Sequence, residues 1–289
     1  MKVANLLLVF ALSAATAFAV GRYVAPPTAP KEESAFDRVM RTGVLRCGYY
    51  VFPPVVMRDP NTGEMSGLTI DMMKAFSEKT GIKVEWTEES TFGNWIPALQ
   101  AKRYDIMCAP MFPDMALGRE AIFTNPLFYA GIYPLVREDD TRFDGPDALE
   151  KMNSPETTFL VQDGNMTLFL TKETFPKAKL LTIAAQVDGP SMMQNIATGK
   201  ADAVLLDRNG QIEYSKYGTK LKVIELPKPL KAQAFTLPMN RKDTELRDFM
   251  NNVILDLLTC GTINRLLDKW ESVRGKIFLR VAEPYAPEN

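Results

Sequence analysis

The sequence contains no histidine. That removes the side chain most often used as general base, as partner of a serine or cysteine nucleophile, and as zinc ligand. Most hydrolase and metalloenzyme chemistries lose their usual parts with it, so no catalytic residue, metal ligand or cofactor is expected. Cysteine is almost as scarce: Cys47, Cys108 and Cys260 show no C-x-x-C or other metal spacing, and an odd number cannot all pair within one chain. A cysteine-rich scaffold is excluded. Charge of one sign is not in excess either, with 34 Lys+Arg against 35 Asp+Glu and a formal net charge of -1. Nucleic acid is therefore not an expected partner.

What is present is a chain of 289 residues, 46% of them hydrophobic, enough to bury one large core or two medium ones. Its first segment differs from the rest. Met1-Lys2 gives a short positive start, residues 6–19 are apolar, and Ala17-Phe18-Ala19 is an A-x-A-like end. This reads as a secretory signal over 1–19. The alternative is an uncleaved anchor, because residues 3–20 approach the lower length limit for a membrane span. Either reading puts the body of the protein outside the cytoplasm. Pro26-Pro27-Thr28-Ala29-Pro30 and the charged residues after it belong to a polar spacer over 20–35, and no lipobox cysteine precedes it.

From Val44 onward, short β-rich runs alternate with helical periodicity, which argues for an α/β fold with parallel strands. Strands are expected at 45–49, 83–86 and 105–109, with helices at 69–80 and 95–102 between them. A second wound unit follows, with strands at 133–136, 158–161, 180–183 and 203–206. The two halves share a local pattern. Ala98-Leu99-Gln100-Ala101-Lys102-Arg103-Tyr104-Asp105 is echoed by Asn195-Ile196-Ala197-Thr198-Gly199-Lys200-Ala201-Asp202, each followed by an apolar strand. Pro110 and Asp207 then occupy equivalent places past those strands. Ligands of open α/β sheets bind outside the carboxyl ends of strands, so both positions are expected to face one cleft. In the last quarter, Leu246, Phe249, Met250, Val253, Ile254 and Leu257 form one helical face, and Ile263, Leu266, Leu267 and Trp270 repeat it after a break at Cys260-Gly261. That spacing is core packing.

Seven segments in order resemble one family, the family 3 extracytoplasmic solute-binding proteins, known for polar amino acids. They are Gly43-Val44-Leu45-Arg46-Cys47-Gly48, Phe52-Pro53-Pro54, Gly67-Leu68-Thr69-Ile70-Asp71, Trp95-Ile96-Pro97-Ala98-Leu99-Gln100, Phe123-Thr124-Asn125-Pro126-Leu127-Phe128-Tyr129, Gly199-Lys200-Ala201-Asp202-Ala203, and the stretch from Leu246 through Gly261 to Lys269-Trp270. The resemblance implies an α/β fold of the two-lobed, type II periplasmic-binding-protein kind, with two wound sheets and a ligand cleft between lobes. The boundaries it suggests are a first lobe of 36–131 plus 235–280, a second lobe of 132–234 and a tail of 281–289, with crossings near 130–135 and 231–236.

It further implies a monomer that captures a small solute, partnered by an ABC transporter permease or a sensor protein in the inner membrane. A sensing or adaptor role is the alternative, and a dehydratase-like enzyme on the same fold is a third reading. Amino-acid-binding members hold the α-ammonium with an aspartate and the α-carboxylate with an arginine. The aspartate falls on Asp207, whose other reading is a helix N-cap. The arginine position, twelve residues after Asp105 and six before Phe123, falls on Leu117. Arg119 is two residues along, about 200° around a helix. By the same resemblance Tyr49, Phe52 and Phe92 stack on the ligand, with Ala109, Phe112, Gln162 and Met166 nearby; each aromatic has lobe core as its alternative. Such a cleft favours a cation or an amphipathic amine over a zwitterion. Cys47 and Cys108 close adjacent strands in this arrangement, as a disulfide or as neighbouring buried thiols, leaving Cys260 unpaired.

Overall fold

The structure, a computed structural model, describes residues 33–91, 94–113, 117–184, 187, 189–216, 218 and 220–282. The expected leader at 1–19, most of the 20–35 spacer and most of the tail lie outside the described residues. Helix α1 (Ala35–Thr42) begins at the last spacer residue because Ser34 is an N-cap whose hydroxyl accepts a hydrogen bond from Asp37 N–H at 3.0 Å.

Two mixed sheets carry the molecule. The first is built from β1 (Val44–Tyr49), β4 (Lys83–Glu89), β5 (Ile106–Met107), β6 (Ala121–Phe123) and β13 (Pro238–Asn240), in the order β4-β1-β5-β13-β6. A small ribbon, β2 (Met57–Arg58) with β3 (Met65–Ser66), stands beside it. The second sheet has the order β11-β7-β10-β8-β9, from β7 (Phe128–Arg137), β8 (Thr158–Gln162), β9 (Lys179–Ile183), β10 (Ala203–Asp207) and β11 (Leu221–Val223), with β12 (Lys231–Phe235) also paired to β7. The helices are α2 (Leu68–Thr80), α3 (Trp95–Gln100), α4 (Ala148–Met152), α5 (Met166–Thr174), α6 (Gly189–Ala197), α7 (Arg208–Ser215), α8 (Thr244–Thr259) and α9 (Thr262–Trp270).

The expected parallel wound units hold for β4-β1-β5 and for β10-β8-β9. The strand expected at 133–136 does not join its sheet that way. It is the far end of the ten-residue β7, antiparallel to β10, β11 and β12. The chain enters this strand straight from the first sheet, without the crossover helix that parallel neighbours require. Along β7 the packing changes partner: Phe128 and Ala130 belong to the first core, while Ile132 and Val136 face a second and Tyr133 and Leu135 a third. One strand therefore runs through both lobes.

The repeated turn has a structural basis. Asp105 exchanges bonds with the start of β1: its N–H donates to Arg46 O at 3.0 Å and its carboxylate accepts from Arg46 N–H at 2.8 Å. Asp202 does the same to the start of β8, donating to Thr158 O at 2.8 Å and accepting from Thr158 N–H at 2.8 Å. Each aspartate also meets arginines, Arg38 and Arg46 in one lobe, Arg137 and Arg142 in the other. Cys47 and Cys108, both fully buried, form a disulfide across 61 residues of sequence; Cys260 is exposed and free.

Candidate functional site

The loop after β1 is bound to the N-terminus of α2, where Leu68 and Thr69 N–H donate to Pro54 and Val55 carbonyls at 3.1 and 3.0 Å. Gly67 makes that contact: it has φ 124°, and a Cβ there would lie 2.6 Å from Val55 O. This fixes Phe52 and Val55 beside the junction of the lobes. From the other side come Asp207, the last residue of β10, and Asn209 at the start of α7. Asn209 Nδ2 donates to Pro53 O at 2.9 Å, a bond between residues 156 apart that ties the two lobes together.

Phe128, Ala130 and Phe235 of the crossing strands and Ile277 and Phe278 of the C-terminal segment complete the wall of a cavity of about 10 Å3 around Asp207. That is roughly the room of one water molecule, so anything larger enters only if the lobes part. The rings interlock: Phe128 stacks on Phe235 at 5.0 Å and meets Phe278 edge-on at 5.1 Å. Phe278 is held there because the Glu271 carboxylate accepts from Gly275, Ile277 and Phe278 N–H at 2.9, 3.1 and 3.2 Å, while Leu279 exchanges backbone bonds with Tyr129 at 2.7 and 2.8 Å.

Asp207 does cap α7, its Oδ1 accepting from Gly210 N–H at 2.6 Å. It keeps partial exposure, yet the surrounding protein desolvates the carboxyl and pushes it above the ordinary aspartate range; Gly210 and Asn209 N–H groups offset part of that rise. Among the described residues no cation pairs with it. Its neighbour Arg208 is committed elsewhere, to Glu225 at 2.9 Å and over the Tyr133 ring at 4.7 Å. Tyr50 lies close by. Its hydroxyl donates to Pro110 O at 3.1 Å, and desolvation first and the Asp207 charge second push it above the usual phenol range. Tyr50 is thus bonded to Pro110 and feels the charge of Asp207, the two positions that the repeat makes equivalent.

The other residues named from the sequence are dispersed. Phe52 lines the Asp207 cavity. Phe112 meets Phe235 edge-on at 6.4 Å, one ring removed from it. Tyr49 is buried in the first core, edge-on to Trp86 at 5.9 Å, and Ala109 is buried beside the disulfide. Leu117 opens a 3-10 turn and packs on the first core. Gln162, at the end of β8, donates to Val187 O at 3.0 Å, and Met166 opens α5 against the second core. Phe92 lies outside the described residues. Arg119 is exposed and lines a different cavity from Asp207. Sequence reasoning did not single out Phe128, Phe235, Asn209, Tyr50 or Phe278. Phe128 was inside a family-like segment, and Tyr50 was one residue from Tyr49; nothing local marks Phe278.

The sequence pattern of the bacterial extracellular solute-binding proteins, family 3, matches residues 45–273. The chain belongs to this family. The solute-binding chain is 26% identical over 221 residues to a probable amino-acid ABC transporter periplasmic-binding protein of Sinorhizobium fredii, covering 72% of this chain and 70% of that one. It is 23% identical over 247 residues to a cyclohexadienyl dehydratase of Pseudomonas aeruginosa, with 84% and 88% covered. Among solved structures it is similar to an ancestral amino acid-binding protein, a precursor of cyclohexadienyl dehydratase, with TM-score 0.63, 28% identity and 82% and 99% of the chains covered. Most of these relatives are binding proteins, and enzymes occur among them. No helix among the described residues is long and apolar enough to cross a membrane.

Proposed function

We propose that this solute-binding protein works outside the cytoplasm, capturing a small solute through an amine or other cationic group and delivering it to the permease of an ABC transporter in the inner membrane. One observation carries the choice of solute: Asp207 is a desolvated carboxylate with no cationic partner among the described residues, walled by aromatic rings. A desolvated carboxylate is costly unless paired, and an ammonium or guanidinium supplies the missing charge. The rings add a cation–π contribution of about 0.5–2 kcal/mol. The carboxylate of a zwitterion has no matching partner at Leu117.

In this reading the lobes are 36–131 with 235–280 and 132–234. They hinge where β7 and β12 cross, and the Asn209–Pro53 bond is a latch of the closed form. The charge on Asp207 makes closure depend on the ligand, because a cation in the cleft removes the cost of enclosing the anion.

The dehydratase relative gives weight to a second reading, in which Asp207, its carboxyl pushed above the ordinary aspartate range by desolvation, protonates a departing hydroxyl as water. A C–H or C–carboxylate bond of the same substrate breaks to supply the electron pair. One experiment tests both. Isothermal titration with cationic amines should give saturable binding that falls at least about 30-fold in Asp207→Ala, the cost of truncating one partner of a desolvated charge pair, about 2 kcal/mol or more. Mass spectrometry of the recovered ligand should find it unchanged. Equal affinity in the variant removes the site; a product lighter by one water establishes the enzyme.

A further inference from the structure

The largest of the cavities described in the first lobe shares no lining residue with the one around Asp207. It has a volume of about 700 Å3 and lies between the end of α3, the 3-10 turn Leu117–Arg119 and the turn after β13. Among the described residues, Lys102, Arg119, Arg241 and Lys242 line it with one acid, Glu120. The Glu120 carboxylate accepts from Gln100 Nε2 at 3.1 Å. Among the described residues, Arg119, Arg241 and Lys242 make no ion pair. Arg241 Nη1 donates to the backbone oxygen of Arg119 at 2.8 Å, which fixes its guanidinium beside the turn that carries the second arginine.

Lys102 adds an independent sign. Its φ is 55°, the one non-glycine residue with positive φ among the described residues. The repeat places Gly199 of the other lobe at the same step, also left-handed at φ 71°, with nothing within 4 Å of a Cβ there. Glycine is the residue that adopts this backbone without cost. The first lobe instead holds a lysine in it, at the rim of the basic cavity. Retained backbone strain of this kind points towards function.

We propose that this cavity binds a compact polyanion, a phosphate or a di- or tricarboxylate, at a site independent of the cleft. Arg119 and Arg241 supply paired donors of the geometry that oxyanions accept, and Lys242 adds a third charge. Arg119, Arg241 and Lys242, held together with no ion pair among the described residues, repel one another, so a bound polyanion stabilises the fold.

The test is a thermal melt of the full chain titrated with inorganic phosphate, with citrate, and with sodium chloride at matched ionic strength, followed by calorimetry of the anion that acts. The expected result is a saturable rise in Tm with phosphate or citrate that chloride does not reproduce, the more effective of the two showing whether phosphate or carboxylate chemistry is preferred. Affinity should fall at least tenfold in R119A/R241A, whose anion-free Tm should be no lower than wild type because two of the repelling charges are gone. In Asp207→Ala the anion response should persist, which separates this site from the cleft. A rise no greater than chloride gives, or an equal rise in R119A/R241A, overturns the proposal.

Discussion

The two lobes open their third strand with the same device and then treat it differently. In each, an aspartate locks the helix-to-strand turn to the start of the neighbouring strand, Asp105 on Arg46 and Asp202 on Thr158. In the first lobe that turn is followed by a cross-link, since Cys108 stands three residues after Asp105 and is bonded to Cys47. At the place equivalent to Asp207 this lobe has Pro110, whose carbonyl accepts from the Tyr50 hydroxyl. In the second lobe the equivalent strand has no cross-link and ends in Asp207, which offers a charge. The cross-linked lobe thus presents rings and a carbonyl, while the lobe joined to it by the crossing strands brings Asp207, for which the described residues supply no cationic partner. A frame built once and used twice has been divided into a cross-linked wall and a charged jaw.

The largest effect expected from breaking this contrast is on the cross-link. Closing a loop of 61 residues removes enough unfolded-state entropy to stabilise by about 4 kcal/mol. Cys47→Ser/Cys108→Ser should lose most of that in denaturant melts, with loss confined to the first lobe by hydrogen exchange. Next come the paired aspartates. Asp105 is almost fully buried with two arginines, so Asp105→Ala should cost about 3 kcal/mol. Asp202 is more exposed and its partner Arg142 half-exposed, so Asp202→Ala should cost about half as much; equal losses would contradict the ranking.

Exchanging the left-handed residues sharpens the comparison further. Gly199→Lys should cost about 1 kcal/mol. Lys102→Gly should gain less than that, because glycine also loosens the unfolded chain. The smallest effect is on pH dependence. The folded Asp207 carboxyl lies above its unfolded value, so its contribution to stability is fullest in acid and is lost as pH rises through the unfolded and then the folded value. A bound cation needs the ionised form and reverses this. The ligand-free protein should therefore lose stability over that window, a loss absent in Asp207→Asn, while amine affinity should fall as pH drops, beginning above the ordinary aspartate range.

Much of this was legible in the chain. The repeat around Asp105 and Asp202, the αL stop at Gly81, and the break at Cys260-Gly261 between α8 and α9 all rest on local chemistry, and the structure has each of them. Tyr49 and Tyr50 show where local reading stops. A register irregularity between Cys47 and Gly48 breaks the alternation along β1, so the phase that sends Tyr49 into the core and leaves Tyr50 near Asp207 cannot be counted from the strand. Phe278 is beyond any local signal, because it reaches the cavity only through the bonds that Glu271 and Tyr129 make to the tail. The antiparallel sense of β7 was hidden for a related reason: strand propensity is the same in either direction, and only the missing crossover helix decides it.

The most direct measurement compares arginine with agmatine, the same guanidinium and amine frame without the carboxylate, by calorimetry on the wild type and on Asp207→Asn. A jaw holding an unpaired anion and no carboxylate clamp predicts that agmatine binds at least as tightly as arginine, and that both lose at least about 30-fold in the variant. Arginine binding much more tightly than agmatine, or equal affinities in wild type and Asp207→Asn, would contradict the account.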